Sequence, residues 1–213
     1  KRFGTSGIPT PALNCLADEG VNFTDAYVTA PICVASRMGL LSGRHQQRFG
    51  IYCNFHAPNQ VKLFSKATLM PVPFQQAGYR TGLVGKWHLG ALDKRYHPNA
   101  RGFDEFAGFR GGWQDYYDWR LDRNGQLEQA DGRYLTDVFT EEATGFIGRH
   151  KDEPFFLRLT YNAPHFPLQA PGEDVNPFRE SGKYTEGVSQ IYGMISRVDQ
   201  GLERILQKLD DHG

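Results

Sequence analysis

Residues 154–161 form a nearly continuous apolar run, which constrains the fold more than any other part of the sequence. Such a run is typical of a strand that is buried on both faces of a parallel sheet. Apolar residues recur with helical spacing on either side of it, over residues 134–150 and 185–209, which predicts two amphipathic helices. Residues 80–88 predict a second strand. Because strands alternate with helices, the sequence predicts an α/β fold with a doubly wound, mostly parallel sheet flanked by helices.

The remaining segments are predicted from their breakers and helix caps. Thr10 and Pro11 suit the start of a helix that ends at Gly20. Residues 21–28 predict a strand, although the alternation slips inside it. Residues 91–133 are rich in Gly, Asp, Asn and aromatic residues without periodicity, which indicates a long surface excursion of the kind that faces substrates. Two shorter segments complete the prediction: a helix at residues 73–77 and a Pro-rich loop at residues 162–176.

Charge balance and cysteine count exclude several classes of protein. Lys and Arg together number 24, as do Asp and Glu, so the net charge favours neither a nucleic acid nor a membrane surface as partner. No apolar run approaches the length of a membrane span. Three cysteines are too few, and odd in number, for a disulfide framework. Cys15 lies among apolar helix positions and is predicted to lie in the core. The chain is long enough for one domain or most of a larger one.

Residues 33–44 predict a helix whose first turn suits an anion. The segment follows a breaker at Pro31, has Cys33 at or just before its N-terminus, and ends at Gly43, which suits a C-terminal cap. Backbone N–H groups and the positive end of the helix dipole favour negative charge there, and Arg37 lies one turn further on the same face. A nucleophile-type side chain and a cation would thus converge on a small oxyanion. For Cys33 alone, a buried structural thiol is the better interpretation.

Three more basic side chains are predicted at the C-terminal ends of the two strands, where open α/β sheets bind ligands. Lys86 and His88 are two residues apart on one predicted strand, so their side chains should leave it on the same face. His165 follows the other strand in a loop that two prolines stiffen. Singly, Lys86 and His88 are better interpreted as a solvated lysine and a packed histidine, and His165 is fairly interpreted as a histidine in a turn. Together with the Cys33 segment, the three side chains favour a site. The other histidines are predicted to be surface or structural residues: His45, His56, His97, His150 and His212.

These segments occur in an order that resembles the type I sulfatases. The stretch that begins at Cys33 resembles the family signature Cys-x-Pro-Ser-Arg-x-x-x-Leu-Thr/Ser-Gly-Arg and departs from it at Ala35, where proline is usual. Residues 78–90 resemble the second family signature, and residues 164–167 resemble the family's Pro-His-x-Pro. Residues 102–106 also resemble a family stretch and are predicted to be structural. The resemblance covers essentially the whole chain and implies an alkaline-phosphatase-like fold.

The resemblance implies a chemistry for each candidate residue. Cys33 would be oxidised to formylglycine, whose hydrated aldehyde attacks a sulfate monoester. Lys86 and His88 would contact the sulfate and the hydrated aldehyde, and His165 would contact the sulfate and assist the leaving oxygen. Arg37 would orient a diol oxygen. The implied partners are a sulfated small molecule or carbohydrate and a formylglycine-generating or other sulfatase-maturing enzyme, and the implied location is periplasmic or secreted.

The resemblance also implies one divalent cation, calcium or else magnesium, with residue 33 as formylglycine among its ligands. The family's carboxylate ligands come from two places, which would lie ahead of Lys1 and after Gly213. The chain is therefore expected to be incomplete at both ends. It would be the central part, residues 1–213, of a sulfatase catalytic domain without the first metal-binding strand and the C-terminal metal-binding segment, and inactive in isolation. Asp115 is a further candidate for lining the substrate pocket.

Two other functions stay open. A phosphate or phosphonate ester hydrolase of the same superfamily would keep the fold and change the reaction, although the Cys-x-x-Ser-Arg context favours sulfate. An inactive fragment without its metal site, or a sulfatase-like binding protein, would keep the fold without the activity. The sulfatase interpretation depends on one geometric prediction: the sulfur of Cys33 lies near the amine of Lys86 and the rings of His88 and His165.

Overall fold

A computed structural model describes residues 7–54 and 66–212, so His56 lies outside the described residues. The described helices are α1 (Pro11–Glu19), α2 (Cys33–Ser42), α3 (Pro71–Gln76), α4 (Leu135–Arg149), α5 (Gly172–Glu180) and α6 (Glu186–Asp210). The strands are β1 (Arg80–Lys86), β2 (Glu105–Phe109), β3 (Arg120–Arg123), β4 (Gln126–Gln129) and β5 (Phe155–Thr160). The helices predicted near these positions are confirmed to within two residues at each end. No helix in the described ranges is both long enough and apolar enough to cross a bilayer.

The strands form one sheet in the order β4-β3-β2-β1-β5. β1 pairs in parallel with β2 on one side and with β5 on the other. β3 is antiparallel to both of its neighbours, so β4 runs in the same direction as β1, β2 and β5. The parallel register sets Gly85 opposite Thr160. The segments that follow β1 and β5 therefore leave the sheet at the same edge, as predicted.

Helices cover both faces of the sheet, which confirms the doubly wound arrangement. Successive residues of β1 point to opposite faces, so Leu83 packs with Met38 of α2, whereas Val84 packs with Phe139 of α4 and Met194 of α6. The sheet is thus the middle layer of three. Both apolar clusters are buried cores that hold the strand ends in place.

Residues 21–28 do not form a strand, contrary to the prediction. They are irregular, and Val21 and Phe23 are 81% and 78% exposed. The reason lies in the sequence: the alternation breaks at Asp25, so neither side of the segment offers a uniformly apolar face to a sheet.

Cys15 is exposed, so its predicted place in the core was wrong. Helix α1 is held to α6 by its first turn, where the backbone amides of Ala12 and Leu13 donate to the carboxylate of Asp199 at 3.1 and 2.9 Å. This end-on attachment satisfies two free N–H groups of the helix and buries Ala12, while Cys15, one turn further on, faces solvent.

Residues 91–133 are more than the predicted surface excursion, because they contribute three short strands to the sheet. They contain β2, β3 and β4, and Tyr116 and Trp119 between them are fully buried. These strands have only five, four and four residues, so their period is too short to be recognised. The predicted structural role of residues 102–106 is confirmed, because the Asp104 carboxylate accepts hydrogen bonds from the amide and hydroxyl of Thr81. The predicted loop at 162–176 is cut short by α5.

Candidate active site

Cys33 begins α2, and the packing of α2 fixes its position. Ile32 precedes it in an extended conformation, and Gly43 ends the helix with a left-handed φ of 62°, which confirms the predicted cap. Met38 and Leu41 bury one side of the helix in the core. The half-buried Cys33 opens into a groove of about 570 Å³ that is lined mainly by α2 and the carboxyl ends of β1 and β5. Its polar lining side chains are Cys33, Ser36, Arg37, Lys86, Arg158, Thr160 and Tyr161.

Two side chains hydrogen-bond to the last residue of β1, beside Cys33. Nη1 of Arg37 donates to the backbone carbonyl of Lys86 at 2.6 Å, and Oγ1 of Thr160 donates to the same oxygen at 2.8 Å. Arg37 thereby ties α2 to β1, and Thr160 ties β1 to β5. The Lys86 carbonyl is the shared acceptor that fixes the three elements relative to one another.

Lys86 is a buried cation, with only 3% of its surface exposed. Burial lowers the pKa of Lys86 and the charge of Arg37 lowers it further, while the Cys33 side chain opposes both through its charge and a hydrogen bond. Burial and the neighbouring Arg158 likewise lower the pKa of Arg37 to about 10. In the described chain, none of these three cations has a carboxylate at ion-pair distance. The groove therefore concentrates positive charge that an anion would compensate.

His88 lies two residues beyond the end of β1, which corrects the strand predicted to reach it. Its backbone is left-handed (φ 57°), so the rule that alternate residues share a face does not apply. The ring packs against Gly112, where an added Cβ would lie 2.7 Å from both Cε1 and Nε2. Nδ1 is buried and has no hydrogen-bond partner among the described residues. Burial, with the charges of Lys86, Arg37 and His165, lowers the pKa of His88 to about 4, so the ring is neutral at pH 7.

His165 lies on the exposed loop that follows β5. Nδ1 lies 2.7 Å from the carbonyl oxygen of Phe166, which can only accept, so Nδ1 carries the proton and Nε2 is left as an acceptor. The loop is held on both sides of this ring: the His165 amide donates to the Asn162 carbonyl at 2.8 Å, and the Tyr116 hydroxyl donates to the His165 carbonyl at 3.0 Å.

The structure places Cys33, Arg37 and Lys86 in one groove. His88 and His165 do not line that groove, so the proximity of their rings to the sulfur of Cys33 stays a prediction. Arg37 contacts the Lys86 backbone, and the Cys33 side chain favours a higher pKa of Lys86. The charges of Lys86, Arg37 and His165 each lower the pKa of His88.

The arrangement can be compared with known proteins. A family model described as Sulfatase matches residues 3–213. The chain belongs to the sulfatase family. The uncharacterized sulfatase YdeN of Escherichia coli (strain K12) is 37% identical over 229 residues, which cover 96% of this chain and 40% of YdeN. N-acetylgalactosamine-6-sulfatase of Homo sapiens is 32% identical over 238 residues, which cover 98% of this chain and 43% of that protein.

Solved structures confirm the fold of the chain. Ps i-CgsB, also crystallised in complex with k-i-k-neocarrahexaose, aligns with a TM-score of 0.91 at 33% identity over 98% of this chain and 51% of its own. A phosphonate monoester hydrolase of Agrobacterium radiobacter aligns with a TM-score of 0.64 at 17% identity, a likeness of fold alone. The fold is alkaline-phosphatase-like. The chain spans between 40% and 51% of the length of YdeN, the human protein and Ps i-CgsB.

Asp115 stays a prediction that the geometry of the sulfatase does not favour. Its Oδ1 accepts from the amides of Tyr117 and Asp118 at 2.8 Å each, and its Oδ2 accepts from Nε2 of Gln169 at 3.0 Å. One oxygen therefore closes a turn, and the other holds the side chain of Gln169. The sequence alone could not reveal this, because Gln169 is distant along the chain.

Sequence reasoning missed Arg158 and Thr160, which line the same groove as Cys33. Arg158 is the one charged residue within β5, and a charge inside an otherwise apolar strand is a signal that could have been used. Thr160 carries no such signal, because its role depends on its register with β1. Among the other histidines, His45 and His212 are exposed, while His97 and His150 are paired with carboxylates, as the predictions require.

The sulfatase family implies formylglycine and a divalent metal, and the donors of the groove can be tested against the metal. Within residues 7–54 and 66–212, no group of three or more His, Cys, Asp or Glu side chains could hold an ion. Calcium takes at least six oxygen ligands, whereas Arg37, Lys86 and Arg158 bring positive charge to the groove. The described residues do not by themselves fit a calcium or magnesium site.

A second cavity of the sulfatase, of about 340 Å³, lies between β1, β2 and α4. Its charged lining is internally compensated, because Arg123 pairs with Glu142 and Arg149 pairs with Glu105. None of the predicted site residues lines it. Its electrostatics suit a structural void rather than an oxyanion site.

Proposed function

We propose that the protein hydrolyses sulfate monoesters, with residue 33 as the source of the nucleophile. The observation that carries this proposal is the convergence of Cys33 with Arg37, Lys86 and Arg158 in one groove. These cations have no carboxylate partners in the described ranges. A sulfate ester presents a tetrahedral oxyanion, and preorganised cations stabilise the charge that develops on its oxygens in the transition state.

Lys86 is the proposed sulfate-binding cation, and Arg37 the residue that positions it. Nη1 of Arg37 is committed to the Lys86 carbonyl, so part of the guanidinium is used to hold the strand end rather than substrate. Lys86 and Cys33 line the same groove, so the oxygens of a sulfate attacked from residue 33 would lie close to this amine. Arg158 would add charge on the far wall of the groove.

The two histidines are proposed to take different roles toward the sulfate ester. His88 is neutral near pH 7 and offers a buried, unpartnered Nδ1 for one hydrogen bond. His165 has Nδ1 committed to the Phe166 carbonyl, which leaves the exposed Nε2 to give a proton to the leaving alcohol when the ring is protonated. Two histidines with different surroundings can thus divide hydrogen bonding and proton transfer between them.

Residue 33 is proposed to be converted to formylglycine by a formylglycine-generating or other sulfatase-maturing enzyme. When hydrated, that aldehyde supplies the hydroxyl that attacks sulfur. Ala35 replaces the usual proline of the signature and is fully buried in α2, so the change does not alter the surface near Cys33. We further propose that residues 1–213 are part of a sulfatase catalytic domain that binds calcium or magnesium in the full protein.

The proposed substrate class is sulfated carbohydrate. Two observations support it: Ps i-CgsB has been crystallised with k-i-k-neocarrahexaose, and the human relative is an N-acetylgalactosamine-6-sulfatase. A periplasmic or secreted location also stays a prediction, which fractionation of cells that express the full protein would check.

The test is replacement of residue 33 in the full protein. Cys33→Ala should abolish hydrolysis of sulfate esters, because alanine has no group that can be oxidised to the aldehyde. Cys33→Ser should leave little or none, because serine lacks the thiol on which the proposed conversion acts. The exposed Cys15→Ala is the matched control and should keep full activity. Mass spectrometry of the tryptic peptide ending at Arg37 should find the aldehyde rather than the thiol. Normal turnover by Cys33→Ala, or faster hydrolysis of phosphate than of sulfate esters, would contradict the proposal.

A further inference from the structure

The three tryptophans of the chain have contrasting surroundings. Trp87 and Trp119 are 1% and 0% exposed, and their indole N–H groups donate to the carbonyls of Tyr96 and Arg133 at 2.8 and 2.9 Å. Trp113 is 61% exposed. Among the described residues its ring has no aromatic neighbour and its N–H has no acceptor. Trp87 and Trp119 are thus core residues. Trp113 exposes its ring to solvent, and its N–H is available to donate to a ligand.

The loop that carries Trp113 is fastened to both histidines of the site. Gly112 lies against the His88 ring so closely that an added Cβ would be 2.7 Å from it. At the other end of the loop, the Tyr116 hydroxyl donates to the carbonyl of His165 at 3.0 Å. Adjacent Cα atoms are about 3.8 Å apart, so the Trp113 side chain begins one residue from the contact with His88 and three residues from the tie to His165.

Single exposed apolar residues are common on protein surfaces and need no function. Here a second aromatic side chain is exposed at the same edge: Phe166, next to His165, is 71% exposed. Tyr117, in contrast, is partly covered, because its ring lies 5.3 Å from that of Tyr134. The two least covered aromatic rings of the site loops therefore adjoin the two histidines proposed to face the sulfate.

We propose that Trp113 is the stacking platform for the pyranose ring that bears the sulfate ester. The inference rests on the proposed function and deepens it by naming a residue that selects a sugar. The negative face of an indole attracts the partly positive C–H groups of a sugar ring, and the indole N–H can donate to a hydroxyl. Sulfate itself has no such face, so Trp113 contributes to recognition of the sugar and not of the sulfate.

The kinetic test compares Trp113→Ala, Trp113→Phe and Leu127→Ala in the full protein. Leu127 is 78% exposed on β4, so it controls for the loss of an exposed apolar side chain. Trp113→Ala should raise KM for a sulfated pyranoside about fivefold to tenfold, the range expected for one aromatic stack. The inhibition constant of inorganic sulfate should stay unchanged, and Trp113→Phe should restore most of the loss. An unchanged KM, or an equal change in sulfate inhibition, would overturn the proposal.

A binding test keeps this inference separate from the proposed reaction. In the Cys33→Ala background, the difference in acrylamide quenching between Trp113 and Trp113→Phe proteins isolates the fluorescence of Trp113. A desulfated oligosaccharide should reduce that quenching at least twofold, and inorganic sulfate should leave it unchanged. Protection by the sugar would support the platform even if the protein proved not to be a sulfatase. No protection by the sugar would overturn it even if sulfate esters were hydrolysed.

Discussion

Two regions at opposite ends of the sheet differ in whether their cationic side chains are paired with carboxylates. Where β2 begins, Arg149 and His150 both contact the Glu105 carboxylate at 2.6 Å, and His150 also contacts Glu153 at 2.6 Å. At the carboxyl ends of the strands, Lys86 and Arg37 have no carboxylate in the described part of the chain. We call the region around Glu105, where the cations are paired with carboxylates, the closed end. We call the region around Lys86 and Arg37, where they are not, the open end.

This difference distinguishes charged groups that contribute to stability from charged groups that are proposed to bind the substrate. Paired charges near the surface add little or moderate stability and do not need a ligand. A buried cation without a partner costs stability, and that cost is typical of a binding site because an anionic ligand can recover it. The left-handed backbone of His88 and its unpartnered Nδ1 lie at the same open end. Among the described residues, an unpartnered nitrogen and two cations without carboxylates thus lie at the end of the sheet where the ligand is proposed to bind.

The largest effect should come from removing charge at the open end. Lys86→Met in the full protein should lower kcat/KM for a sulfate ester about 100- to 1,000-fold, the usual loss when one electrostatic contact to the transition state is removed. Stability should be unchanged or increased, because an apolar side chain of similar length replaces a buried cation that has no carboxylate partner in the described part of the chain. Arg149→Met, at the closed end, should leave activity unchanged. Steady-state kinetics and urea unfolding check both, and more than a tenth of normal activity in Lys86→Met would contradict the contrast.

A smaller loss should follow from disturbing the packing around His88. Gly112→Ala places a Cβ within 2.7 Å of the imidazole, so the ring must move, and displacement of a catalytic group by about 1 Å can cost up to about 100-fold. We expect kcat to fall about 10- to 100-fold with little change in the urea midpoint. Gly172→Ala is the matched control, since an added Cβ there meets nothing within 4 Å. Equal activity of the two variants would show that Gly112 does not position His88.

At the closed end, the effect should be on stability alone. Glu105→Gln removes the charge shared by Arg149 and His150 and should lower the free energy of unfolding by about 1–2 kcal/mol at pH 7. Burial raises the pKa of Glu105, but hydrogen bonds from His150 and Arg149 outweigh it, and the net shift is downward. Its contribution should therefore be present above pH 4.5 and be lost as the pH falls further. Loss of sulfate-ester hydrolysis by Glu105→Gln at a temperature where it stays folded would contradict a role in stability alone.

The positions of Cys33, Arg37 and Lys86 at the open end could be predicted from sequence. The contacts that hold the two histidines nearby could not. Cys33 and Arg37 lie one helical turn apart, and Lys86 ends a strand, so local spacing suffices to place them. The contact of His88 with Gly112 and the tie from Tyr116 to His165 depend on where β2 and β3 return to the sheet. Those strands are too short to show a period, and residues 21–28 mimic a strand that does not form. Local rules fail where the position of a side chain is decided by residues far away along the chain.

The smallest effect should be a pH dependence that belongs to His88. Its pKa is lowered from the ordinary 6.5 to about 4, so the folded protein favours the neutral ring. Above pH 6.5 the ring is neutral in both states and contributes no pH dependence. Between pH 6.5 and about 4 the unfolded chain binds a proton that the folded chain does not, so stability should decline as the pH falls. His88→Asn, which cannot titrate, should flatten this decline between pH 6.5 and 5, above the range in which Glu105 begins to contribute. If urea midpoints of the two proteins fell in parallel over that interval, His88 would not be the neutral, unpartnered ring that makes this end of the sheet receptive to an anion.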